Sequence, residues 1–130
     1  MISGKEKLWA LLAYISGVFG LAFMPLNILL PNLIAKKYKI ESDFIFEHAL
    51  DAANLNFSFF IQLIVLLLLA SFTGMFLHSN NIDIGNTIFL ILIYHFIIYY
   101  CLQVVLGIFN ALLENSSNIK SWPNFFERDD

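Results

Sequence analysis

The chain has 130 residues, of which 59% are hydrophobic and 13% charged, with a formal net charge of -3. That apolar share exceeds what a soluble domain hides behind a polar surface. The few Lys and Arg are scattered with no basic stripe, so a nucleic-acid interface is excluded too.

The amino end opens with Lys5, Glu6 and Lys7, and residues 8–35 then carry no formal charge but are interrupted by Gly17, Gly20, Pro25, Asn27, Pro31 and Asn32. Basic residues ahead of an apolar run, with Gly20 and Ala22 in a small-x-small arrangement, also imitate a signal peptide; the segment is expected to stay uncleaved. Two readings fit. One kinked helix crosses the membrane, or two short helices, about residues 6–22 and 26–38, form a hairpin where Pro25 disfavours helical geometry at Met24. Charge favours the hairpin, because it gathers Lys5, Lys7, Lys36, Lys37, Lys39, Lys120 and Arg128 on one side, and basic residues are retained in the cytoplasm. Along the first helix Ala13 with Gly17, and Ser16 with Gly20, place small residues four apart, a spacing that admits a neighbouring backbone.

After a polar connector at residues 36–41, Ser42 or Asp43 is placed to cap a helix over about 43–55. Asp43, Glu47, Asp51 and Asn54 recur on one side of it and Phe44, Ile45, Ala52 and Leu55 on the other, which predicts an amphipathic surface helix. Its acidic face is solvated or meets a partner protein, and Asp43, Glu47 and Asp51 are the contact candidates.

From residue 52 to residue 113 the one formal charge is Asp83. Two apolar runs, 57–77 and 84–113, reach or exceed the roughly 20 residues that cross a hydrocarbon layer about 30 Å thick. Turn formers Ser79, Asn80 and Asn81 join them. Within the runs the polar residues form stripes: Asn54, Ser58 and Gln62 on one helix, and His95, Tyr99, Gln103 and, two turns on, Asn110 on the other. Antiparallel pairing would set these stripes at matching depths, either as interhelical hydrogen bonds or as the lining of a polar path. His95 is the titratable side chain at mid-membrane depth, which makes it a functional candidate.

The chain holds no nucleophile elbow, phosphate-cradling glycine loop or metal-ligand spacing, so neither enzyme nor cofactor is expected. Cys101, the lone cysteine, forms no internal disulfide. The expected fold class is all-α: a single polytopic membrane bundle over residues 1–130, with four hydrophobic helices, one amphipathic surface helix and both termini cytoplasmic in the bacterial cell membrane. Trp122, Phe125 and Phe126 in the tail suit a membrane interface.

Several segments resemble a known family. These are Lys7-Leu-Trp-Ala-Leu-Leu-Ala-Tyr-Ile-Ser16, Leu30-Pro-Asn-Leu-Ile-Ala-Lys-Lys37, Glu47-His48 followed by Asn56-Phe57, and Asn115, Ser117, Trp122 and Pro123 in the tail. They look like the small bacterial relatives of the chloroplast inner-envelope import channel subunit, the Tic-twenty-like group with its domain of unknown function. Residues 48 and 56 lie two further apart than in that pattern, and Ser117 replaces its usual glycine. Within the group, the accessory type that accompanies gallidermin and epidermin lantibiotic clusters is similar in size and composition. The resemblance implies an accessory to an ABC transporter that exports a lantibiotic peptide and gives bacteriocin immunity. Its alternative is an oligomeric protein-translocation channel, several copies of the chain surrounding the polar path.

Overall fold

The computed structural model describes residues 2–19, 24–76 and 82–115. Within them the chain forms four helices and no strand: α1 (Gly4–Phe19), α2 (Met24–Tyr38), α3 (Asp43–Phe76) and α4 (Ile82–Leu112). Gly20 and the tail aromatics Trp122, Phe125 and Phe126 lie outside the described residues.

Local chemistry fixes the helix ends. Ser3 and Glu6 form a capping box at the start of α1: the Glu6 N–H donates to Ser3 Oγ (3.3 Å), and the Ser3 N–H donates to Glu6 Oε2 (2.8 Å). Pro25 falls in the first turn of α2, where a missing N–H costs nothing. A tight turn at Tyr38, whose carbonyl accepts from the N–H groups of Glu41 and Ser42, leads to α3. Ser42 is the residue that caps α3, its Oγ accepting from the Ile45 N–H at 3.4 Å. At the far end of α4 the Asn115 N–H donates back to the Asn110 carbonyl at 3.0 Å while Glu114 takes a left-handed φ of 60°.

The expected surface helix over 43–55 does not exist as a separate element. It is the first half of α3, a helix of 34 residues and about 51 Å. Nothing at Leu55-Asn56-Phe57 breaks the helix, and Asn56 Nδ2 donates to the Ala52 carbonyl one turn back (2.7 Å), so its amide is satisfied without leaving helical geometry. Nor does this half lie on a surface. Ile45, His48, Ala49, Ala52, Ala53 and Leu55 are all buried, and α1, α2 and α4 pack against α3, making it the centre of the molecule. Asp43 is exposed, whereas Glu47 and Asp51 sit half-buried at the edge of the packed region.

The core is built largely from small side chains. Ala10, Ala13, Ala35, Ala49, Ala52 and Ala53 are essentially inaccessible, which lets backbones approach closely. Past Phe59 the packing changes. Phe59 stacks on Phe96 at 4.8 Å between centroids, and beyond that pair the outer halves of α3 and α4 turn apolar side chains outward, with Leu68 54% and Ile91 61% exposed. Among the described residues two helices are long and apolar enough to cross a membrane, over Asp43–Ser71 and Thr87–Leu112. Their apolar side chains face outward instead of forming a dry core, so the surrounding medium is hydrocarbon and the chain is a membrane protein. With 16 and 15 residues, α1 and α2 extend only about 24 and 22 Å, short of a hydrocarbon layer.

Candidate functional site

The polar groups of the bundle gather in two layers and one lipid-facing groove. The first layer closes the end of the molecule where α1 begins, α2 turns into α3 and α4 stops. Glu6 Oε1 accepts from Ser42 Oγ at 2.7 Å, and this bond, followed by those from Ser3, pulls the Glu6 pKa from 4.5 down to about 2. Lys7 Nζ meets Glu114 Oε1 at 2.7 Å, and the hydrogen bond and charge of Lys7 hold the Glu114 carboxyl below its ordinary range. Lys37 lies over the rings of Trp9 (4.9 Å) and Tyr38 (5.1 Å), themselves in tilted contact.

Beneath these pairs, His48 is fully buried between three elements. Its Nε2 lies 3.1 Å from the Asn115 carbonyl and its Nδ1 3.2 Å from the Tyr14 hydroxyl, with the Phe44 ring edge-on at 4.6 Å. A carbonyl only accepts, so Nε2 donates to it and Nδ1 accepts from Tyr14. One imidazole thereby ties α1, α3 and the end of α4.

The second layer lies two turns along α3. Asn56 Oδ1 accepts from the Tyr100 hydroxyl at 2.6 Å, joining α3 to α4, and Gly17 of α1 packs directly on the Asn56 amide, where a Cβ would collide with Nδ2. The small-residue spacing of Ala13 and Gly17 thus admits a helix, as expected from the sequence.

The stripe residues are distributed between core and groove. Asn54 and Ser58 are buried, and Gln62 donates to Ser58 Oγ at 3.2 Å within α3. Gln62, His95 and Tyr99 line a groove of about 470 Å³ between the outer halves of α3 and α4, whose other walls include Val65, Leu92 and Phe96. His95 and Tyr99 are exposed there, while Gln103 and Asn110 are half-buried farther along α4. The α4 residues turned toward α3 are Phe96, Tyr100 and Val104, one position on from His95, Tyr99 and Gln103, a rotation of about 100°. Sequence reasoning passed over Tyr14, His48, Asn56 and Tyr100 as interacting residues. The signal was there: His48, Ala52 and Asn56 recur four apart, on one helix face. Among the described residues no group of three His, Cys, Asp or Glu side chains converges as a metal site.

A family model of magnetosome magnetite crystal formation proteins, MamF/MmsF, matches residues 5–125. The chain belongs to that family. This overturns the resemblance to the Tic-twenty-like group and to the gallidermin and epidermin accessory type, and with it the readings of lantibiotic export, bacteriocin immunity and protein translocation. The segments that suggested them are short and mostly apolar, and such matches arise readily in hydrophobic sequence, whereas the magnetite-formation family pattern extends over residues 5–125. Neither the curated proteins nor the solved structures gave a match.

Proposed function

We propose that the chain is a multi-pass, non-enzymatic membrane component of magnetite crystal formation, acting through contacts made by its membrane-embedded surface. The observation that carries this reading is the family match over residues 5–125, taken with the outward-facing apolar halves of α3 and α4. The bundle's buried polar groups support a structural role: His48 with Tyr14 and Asn115, and Asn56 with Tyr100, are engaged with one another. The groove of Gln62, His95 and Tyr99 is then the contact surface toward a neighbouring membrane protein or a further copy of the chain, since His95 exposes an ionisable side chain within a membrane-spanning stretch. Asp43, Glu47 and Asp51 offer a second contact, at the end where Lys7 meets Glu114.

In this reading all four helices enter the bilayer and both termini are cytoplasmic. The short α1–α2 hairpin is accommodated by tilt or local thinning. Deletion of the gene in magnetite-forming cells, followed by electron microscopy of the crystals, tests the role. Fewer or smaller crystals are expected, restored by the wild-type chain and not by a His95→Leu/Tyr99→Phe double variant that still reaches the membrane. Unchanged crystals in the deletion would overturn it.

A further inference from the structure

Asn27 lies in the first turns of α2 and is 1% exposed, yet neither its Oδ1 nor its Nδ2 has a hydrogen-bond partner among the described residues. Every other buried polar side chain described in the bundle is engaged: His48, Asn54, Asn56 and Ser58 all have partners. Pro31, four residues on and also fully buried, adds to the deficit. Proline has no N–H, so the backbone carbonyl of Asn27 lacks the donor that an α-helix would give it. One buried residue thus carries an unpartnered carboxamide, with one acceptor oxygen and an NH₂ group, and a backbone carbonyl without its helical donor, in a position where unmet polar groups are costly.

We infer that Asn27 and the carbonyl released by Pro31 form an internal hydration site holding one or two water molecules. The chemistry selects the ligand. A bare cation suits the two oxygens but not the amide N–H beside them, and an anion suits the N–H but not the oxygens. Water donates and accepts at once, and buried waters characteristically satisfy polar groups of this kind. The site would supply the hydrogen bond that Pro31 removes and so keep α2 helical on both sides of the proline. This inference stands on the bundle alone and does not depend on the role in crystal formation.

The test uses the full chain in detergent micelles or nanodiscs, labelled with ¹⁵N at Asn side chains, and reads magnetisation transfer from water to each side-chain amide. Asn27→Asp removes one amide pair and so assigns the Asn27 signal. A direct water cross-peak at that signal is expected, together with slow exchange in D₂O. Asn27→Leu is expected to lower the melting temperature by several degrees, because it removes the water's partners and leaves the carbonyl unmet. An Asn27 amide without a water cross-peak would overturn the site, whether or not the variants fold. An Asn27→Leu chain as stable as the parent, or more so, would equally sink it, since that is how an orphaned amide behaves.

Discussion

Gly17 shows how closely the helices meet, for here the absence of a side chain is what allows the Asn56 amide to sit against α1. Gly17→Ala drives a methyl into that amide and is expected to cost about 1–3 kcal/mol through overpacking, read as a fall in thermal stability in detergent. Tyr100→Phe removes a single oxygen from the same layer and leaves Asn56 Oδ1 unmatched, a loss of about 0.6–1.7 kcal/mol by the measure of interhelical hydrogen bonds in membrane bundles. A Gly17→Ala chain as stable as the parent would show the close approach to be wrong. The carboxylates at the end of the bundle give a pH dependence whose sign is fixed. Glu6 has a folded value of about 2 against 4.5 for the free group, so its contribution is complete above 4.5 and is lost as pH falls from there toward 2. Glu114, lowered by Lys7, acts in the same direction. Acid titration of the melting temperature should therefore show a decline below pH 4.5. Glu6→Gln should be less stable than the parent at neutral pH and should flatten that decline.

At the scale of elements, α3 determines how the rest is placed, and its start depends on Ser42. This hydroxyl caps the helix through the Ile45 N–H and also donates to Glu6, so Ser42→Ala is expected to lose about 1 kcal/mol or more and Ser3→Ala, at the exposed start of α1, less. Equal losses in chemical unfolding would separate the cap from the α1–α3 stitch. The presence of the helices was legible in the sequence, because uncharged runs, the proline at residue 25 and turn formers near residue 80 separate them. The union of 43–55 with the following run was not. Asp43, Glu47, Asp51 and Asn54, spaced along one side, read as a solvated face, whereas only Asp43 is exposed, Asn54 is buried, and His48 and Asn56, outside that set, are polar groups paired inside the protein. The orientation of α4 was also hidden, for a physical reason: its apolar residues occupy the whole circumference, so periodicity cannot distinguish the face that meets α3 from the face that meets lipid. What fixes that face is the Tyr100–Asn56 bond and the rings of Phe59 and Phe96, which only the fold brings together. The S-x-x-E capping box at Ser3 and Glu6, by contrast, lies in the sequence but was passed over there, and it starts α1 two residues before the expected bound at residue 6.

For the molecule as a whole, contacts place the start of α1, the α2–α3 turn and the end of α4 at one end: Lys7 reaches Glu114, Ser42 reaches Glu6, and Lys37 reaches Trp9. Lys5, Lys36 and Lys39 belong to the same end by their places in the chain, while residues 77–81, between α3 and α4, contain neither Lys nor Arg. Basic residues resist translocation, so this asymmetry supports the proposed orientation, with the Lys-rich end in the cytoplasm. The chain offers a clean way to test that. Cys101 is its one cysteine, so Cys101→Ser gives a background in which a single new thiol reports its own side of the membrane. In intact cells a membrane-impermeant maleimide is expected to label Asn81→Cys and to leave Lys5→Cys unlabelled until the membrane is opened. Labelling of Lys5→Cys from outside would refute the cytoplasmic placement of the amino end. A companion substitution checks the medium: Leu68, 54% exposed, would tolerate Arg on a soluble protein, but within hydrocarbon Leu68→Arg is expected to cost about 2.5–3.5 kcal/mol and to reduce the fraction recovered in membranes. An unaltered membrane fraction for Leu68→Arg, with Asn81→Cys shielded from the reagent, would remove the outer halves of α3 and α4 from the bilayer.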